Sequence, residues 1–289
     1  MFLSSQKKYH FMGGLPRSGS TLLSSILNQN PRFDSSASSP VLGLMHIIID
    51  DLWNNELYHA YPKPQQANQI ASNIIHQWYS DVTVPVIFDK NRAWTARLDL
   101  IRGYLNIENP KIICPVRDTD EILTSFITMI RRNPFQEGQT RINFIDEQLV
   151  KSNIPLTDEN RCAFIAETQG GILFEAWNAM IEGINQGNGQ YMYFVDYNDL
   201  ISNPEETLEG IYEFLEEDPY EHDFSNIFNK HEESDLNTYG LGDMHKVRKE
   251  LKKTSPDPKD ILPKSILGRY KQMEFWNQSQ SQTNIVEPS

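Results

Sequence analysis

Cysteine is nearly absent: Cys114 and Cys162 are the only two in 289 residues. Two are too few for a disulfide framework, and their spacing fits no metal site, so no metal is expected and the usage points to a cytoplasmic protein. There is also no apolar run near the roughly 20 residues that a spanning helix needs. Residues 1–10 carry no long apolar core of the kind a secretory signal has. Basic residues are the minority, 26 against 39 acidic ones, for a net charge of −13; such a balance argues against nucleic-acid or anionic-membrane partners. No internal repeat and no long low-complexity segment interrupts the chain.

What is present is globular in composition, 39% hydrophobic and 22% charged, with 15 Gly and 16 Pro spread along the chain. A single domain over residues 1–277 is expected, followed by a polar tail at 278–289. Charge is unevenly placed. Residues 196–235 hold fourteen acidic side chains against one lysine, Lys230, whereas residues 246–271 hold nine basic against three acidic ones. The acidic stretch reads as a solvated face, and the basic one as a candidate ligand contact. Short apolar runs at 9–12, 84–88, 111–116 and 191–195 read as buried strands. Helical patterns cover 21–30, 40–57, 118–131 and 204–215. Ser39 is placed to cap the second, with Pro40 in its first turn; Asp118 to cap the third, and Asn203 the fourth. Alternating strands and helices predict an α/β fold, a three-layer doubly wound parallel sheet, whose ligands bind beyond the carboxyl ends of the strands.

The segment from Phe11 through Gly13, Gly14, Leu15, Pro16, Arg17, Ser18, Gly19, Ser20 and Thr21 to Leu22 and Leu23 runs from strand through a glycine-bearing turn into a helix. Gly14 and Gly19 have P-loop spacing, and Thr21 stands at the hydroxyl position. Such a P-loop-like turn aims backbone N–H groups at an anion. Ser20 replaces the lysine that serves the β- and γ-phosphates of a nucleoside triphosphate, which argues against ATP or GTP hydrolysis.

The run Pro16-Arg17-Ser18-Gly19-Ser20-Thr21-Leu22 resembles the 5′-phosphosulfate loop of sulfotransferases that use 3′-phosphoadenosine-5′-phosphosulfate (PAPS), in their tyrosylprotein, carbohydrate and bacterial types. Pro115-Val116-Arg117-Asp118 with Ser125 is similar to that family's 3′-phosphate motif, which implies Arg117 and Ser125 as its ligands. Asp196-Tyr197-Asn198-Asp199-Leu200 before Asn203-Pro204 resembles the segment whose tyrosine holds the adenine, and implies that role for Tyr197. Leu262-Pro263-Lys264-Ser265 with Gly268-Arg269-Tyr270-Lys271 partly matches the late basic segment over the cofactor, implying phosphate contacts at Lys264 and Ser265. Residues 241–248, with Gly242 and His245, and Glu274-Phe275-Trp276 look like bacterial relatives.

The resemblance implies a transferase that moves a sulfuryl group from PAPS to a hydroxyl or similar acceptor and releases PAP. Sulfuryl transfer is an in-line displacement that asks for positioning, cations and a base. Phe88-Asp89-Lys90-Asn91-Arg92 resembles the segment whose lysine lies near the bridging oxygen, implying Lys90 in that role; Arg17 is a second cation at the loop. The base has no counterpart at the family's glutamate position, because residues 35–39 are Ser-Ser-Ala-Ser-Ser. Asp34, His46, Asp50, Asp89 and His245 are candidates, and His245 is preferred for its place in a glycine-bearing loop and its ordinary pKa near 6.5. Residues 127–167 are expected to form a lid over the acceptor, and Phe126, Phe135, Phe144 and Phe164 suit a small-molecule, saccharide or peptide acceptor alike. Two other readings stay open: a kinase with a degenerate P-loop, opposed by Ser20, and a non-catalytic PAP-binding protein, favoured by the missing glutamate.

Overall fold

In a computed structural model that describes residues 7–134, 142–253 and 255–279, strands and helices alternate along the chain. The order is β1 (Lys8–Met12), α1 (Ser20–Leu27), β2 (Phe33–Ser38), α2 (Val41–Asn54), α3 (Glu56–Ala60), α4 (Pro64–Trp78) and β3 (Val86–Lys90). After them come α5 (Leu98–Leu105), β4 (Ile112–Val116), α6 (Thr119–Arg132), α7 (Phe144–Lys151), α8 (Asp158–Glu167), α9 (Ile172–Asn185) and β5 (Met192–Asp196). The remainder is α10 (Tyr197–Ser202), α11 (Pro204–Leu215), α12 (Asp235–Tyr239), α13 (Pro258–Ile261) and α14 (Trp276–Ser279).

The five strands are all parallel, in the order β2-β3-β1-β4-β5. Side chains alternate across the pleat, so each strand feeds both faces. Phe11, Ile87, Ile112 and Cys114 enter one apolar cluster, with Trp94, Ile127 and Met180. Met12, Phe88, Ile113 and Val195 enter the other, with Leu23, Ile26, Leu208 and Ile211. Helices thus cover both faces, giving the three-layer α/β arrangement expected. β1 lies between β3 and β4, so the turn after it opens at the point where the strand order reverses, where doubly wound sheets hold ligands. Among the described residues no helix is long and apolar enough to cross a membrane.

Each expected strand is present, displaced by two residues at most. One strand goes beyond expectation: β2 is polar after Phe33, so no apolar run announces it. Asn28 holds it in place of apolar packing, its side chain donating to the Ser35 carbonyl (2.9 Å) and accepting from the Ser35 N–H (2.6 Å). The helix expected over 40–57 breaks at Asn55, whose side chain accepts from the N–H groups of Leu57 and Tyr58 and starts α3. Pro40 sits one residue before α2, where Ser39 Oγ accepts from the Val41 N–H (3.2 Å). Asp118 caps α6 by accepting from the Glu121 N–H at 3.1 Å. Asn203 precedes α11 but makes no side-chain cap.

Residues 127–167 reach into the core through Ile127, Ile130, Ile145, Leu149, Cys162 and Ile165, which are buried, while residues 150–157 are exposed. Residues 135–141 of that stretch, including Phe135, and residues 280–289 of the expected tail lie outside the described residues.

Candidate active site

The turn between β1 and α1 is fastened to the neighbouring strand before it reaches any ligand. Gly13 N–H donates to the Ile113 carbonyl and Leu15 N–H to the Pro115 carbonyl, both at 2.8 Å. Gly14 must be glycine: its φ is +80°, and a Cβ would lie 2.4 Å from the Pro115 oxygen. Gly19 has φ +86° and a Cβ there would lie 2.7 Å from the Tyr197 ring. Arg17 also adopts a left-handed φ of 57°. The Ser18 hydroxyl donates back to the Leu15 carbonyl at 2.6 Å, and Pro16 is buried in the same turn. The first intrahelical bond of α1 runs from Leu23 N–H to the Gly19 carbonyl. The N–H groups of Ser20, Thr21 and Leu22 are therefore left for an anion at the positive end of the helix.

Those residues line a cavity of about 330 Å³, together with Arg17, Gly19, Lys90, Arg117, Ser125, Tyr197 and His245. Lys90 is the last residue of β3, paired with Met12, where the sequence suggested a turn after the strand. Its Nζ is 3.4 Å from Thr21 Oγ1. Burial pushes the ammonium pKa down to about 8, with Glu233 drawing it up and Arg92 adding repulsion. The cation missing at Ser20 is thus supplied from the neighbouring strand.

Arg17 donates from Nε to Ser125 Oγ at 3.0 Å and from its other end to the Met244 carbonyl. Burial and the adjacent Arg117 push its guanidinium down to about 10. Arg117 stacks on the Tyr197 ring, 4.1 Å from the centroid. It donates to Glu121 (2.9 Å), the Arg17 carbonyl (3.0 Å) and Ser255 Oγ (2.6 Å). Three of its five N–H donors are engaged in this way, which leaves two. Its acidic partner is Glu121, one turn into α6, whereas Asp118 pairs with Lys271.

On the opposite wall His245 Nδ1 lies 2.6 Å from Asp235 Oδ1 and 3.3 Å from Glu233 Oε2. Asp235 Oδ2 also accepts the His245 backbone N–H at 2.8 Å. Between two carboxylates Nδ1 carries its hydrogen, so the neutral ring keeps its lone pair on Nε2. Burial holds this histidine below its ordinary pKa, against the pull of Asp235 and Glu233.

The other base candidates lie elsewhere. Asp89 is fully buried and accepts from Ser39 Oγ (2.5 Å), Trp94 Nε1 (2.6 Å) and the Tyr79 hydroxyl (2.8 Å). Burial raises its pKa. It is a hub that ties β3 to α2 and α4. Asp34 pairs with Lys230 and His231, which hold its carboxyl low in spite of burial. His46 and Asp50 face solvent on α2.

Lys264 and Ser265 are exposed and line no part of the cavity; Ser265 donates instead to Glu159. The basic residues of the late segment that do line it are Lys246, Arg248 and Lys252, in the stretch before the expected one. Sequence reasoning also passed over Arg92, Glu233 and Asp235. Arg92 stands two residues after Lys90, and the two carboxylates belong to the stretch read as a solvated face.

A model of the sulfotransferase family matches residues 10–222. No curated protein matches the chain. Among solved structures, the sulfotransferase domain from the curacin biosynthetic pathway is similar at 14% identity and a TM-score of 0.47, covering 98% of this chain and 99% of that one. The mouse sulfotransferase SULT7A1 complexed with PAP is similar at 13% identity and a TM-score of 0.49, over 96% and 88% of the two chains.

Proposed function

The chain belongs to the sulfotransferase family, whose model covers residues 10–222, and on that premise we propose that it moves a sulfuryl group from PAPS to a hydroxyl acceptor. The observation that carries this reading is one cavity that gathers a helix start, basic side chains and a histidine. Ser20, Thr21, Leu22, Lys90, Arg17, Arg117 and His245 all line it. The start of α1 suits the 5′-phosphate, and the free donors of Arg117 with Ser125 suit the 3′-phosphate. Tyr197, already under Arg117, suits the adenine.

The chemistry needs one bond made, one broken and one proton moved. The acceptor oxygen bonds to sulfur as the sulfur–oxygen bond to the 5′-phosphate breaks, and PAP leaves with the bridging electrons. Lys90 answers the charge that grows on that oxygen, an interaction stronger in the transition state than before it. His245 takes the acceptor proton at Nε2, and Asp235 steadies the imidazolium from Nδ1. No lysine of the loop itself serves a γ-phosphate, which separates this site from a nucleoside triphosphatase.

PAP should bind one to one and raise the melting temperature by mass action. Thermal shift and calorimetric titration with PAP, and separately with ATP and magnesium, check it. Stabilisation by ATP equal to that by PAP would favour the kinase reading, and PAP binding without turnover on a broad acceptor panel the non-catalytic one.

A further inference from the structure

A second cavity, of about 650 Å³, lies between α9, the turn after β3 and α12. Its volume falls in the range that organic ligands fill. Ala93, Ala96, Ala176 and Ala179, with Phe144 and Ile172, make an apolar part of its wall, beside polar residues that include Asn91, Asn178 and Thr238. The apolar part suits an apolar body.

Two residues connect this cavity to the donor site. Arg92 lines both. Tyr239 lines the second, and its ring centroid is 5.8 Å from that of His245. An acceptor seated here would bring its hydroxyl to His245 beside Arg92.

The charged groups of the second cavity are otherwise occupied. Arg97 pairs with Glu182 at 3.3 Å, and Glu175 accepts the Gly170 N–H at 2.7 Å. Arg92 has neither an ion pair nor a side-chain hydrogen bond among the described residues. Glu233, the carboxylate whose charge acts on it, is held by the Ser38 N–H at 3.1 Å. A partly buried guanidinium with no partner among the described residues is costly, and a ligand anion would offset that cost.

We propose that the second cavity is the acceptor site, and that the acceptor is an apolar hydroxy compound with one anionic group close to its hydroxyl, read by Arg92. This rests on the sulfuryl-transfer reading above. The donor side already has Lys90, Arg17 and the start of α1 for the sulfuryl and phosphate oxygens, whereas on the acceptor side Arg97 is paired with Glu182 and Arg92 is left for the ligand.

The test uses a matched pair that differs in the anion, ortho-hydroxyphenylacetate and ortho-ethylphenol. Each is titrated into the full-length protein saturated with PAP, and each is offered as acceptor with radiolabelled PAPS. The acid should bind and be sulfated with at least about a tenfold advantage, the scale of one charge-assisted hydrogen bond. Arg92→Met should abolish that advantage and leave PAP affinity within about twofold. Ala179→Phe, which fills the cavity, should exclude both compounds and spare PAP binding. Equal use of the pair by the wild type would overturn the proposal, as would PAP binding with neither compound bound. So would a loss of PAP affinity in Arg92→Met that matches the loss for the acid, because Arg92 would then belong to the donor. Failure of the wild type to bind PAP at all would instead overturn the donor reading. If Arg92→Met does not fold, the wild-type pair and Ala179→Phe decide the matter.

Discussion

The donor cavity has two walls of different construction. One is the turn from Gly14 to Leu22 with the ends of β3 and β4, a stretch whose backbone is bonded into a buried parallel sheet. The other is the chain from Gly242 to Pro256, whose described residues form no helix or strand. Contacts to distant parts of the chain hold it, among them Ile227 N–H to the Lys249 carbonyl at 2.7 Å, Gly242 N–H to Asn133 at 3.1 Å, His245 to Asp235 and Arg117 to Ser255. The first wall works through main-chain N–H groups and torsion angles, so its residues must be contiguous. The second works through side chains brought in from far along the chain.

The largest effect should come from the coil wall, which holds the proposed base. His245→Ala should lower kcat by about 10²–10⁴, the range for a lost general base. The pH profile tells a base from a structural residue. Activity should fall as the pH drops through the histidine's pKa, which burial holds below its ordinary 6.5. It should fall again as the pH rises through about 8, where Lys90 loses its proton. His245→Ala should erase the acid limb and keep the alkaline one. An acid limb that survives the substitution would assign the base elsewhere, with Glu233 next in place.

The strand wall should answer more narrowly. Lys90→Ala should lower kcat by about 10²–10³, as when one preorganised stabilising donor is removed. PAPS affinity should change by less than about tenfold, because the interaction grows as the bond breaks. Lys90→Arg should rescue only in part, since a planar fork does not replace a compact charge. Single-turnover transfer alongside PAPS titration checks both numbers. A variant that binds poorly but turns over normally at saturation would make Lys90 part of the binding wall, and the contrast between the walls would weaken.

The same difference explains what could be read from the chain. The loop was legible because its glycines are demanded by backbone geometry: Gly14 meets Pro115 and Gly19 meets Tyr197, and no other residue fits. The sheet was legible where burial on both faces produced apolar runs, and it failed at β2, where Asn28 replaces apolar packing with hydrogen bonds. Lys90 lines the cavity, from inside the strand and not after it. Glu233 and Asp235 were hidden because an acidic stretch with one lysine looks like solvent-facing charge. Only the fold brings two of its members to His245. Arg92 was hidden for a related reason, since having no partner among the described residues is a property of space and not of spacing.

The smallest effect, and the sharpest test of the coil wall, concerns two exposed lysines twelve positions apart. Lys252 lines the donor cavity, and Lys264 does not. The resemblance in the sequence favoured Lys264, in a segment whose Ser265 instead bonds to Glu159. An exposed cation facing an anionic ligand is worth little, and salt screens it. Lys252→Ala should therefore weaken PAP binding by about twofold to fivefold at low ionic strength, with the difference shrinking as salt is added. Lys264→Ala should leave PAP affinity and the melting temperature unchanged, as for a surface substitution away from any partner. Titrating PAP into both variants at two salt concentrations separates them. A larger loss at Lys264 than at Lys252 would mean that residues 262–271 fold over the nucleotide when it binds. The coil wall would then extend past Pro256, and the late basic segment would regain the role that its resemblance implies.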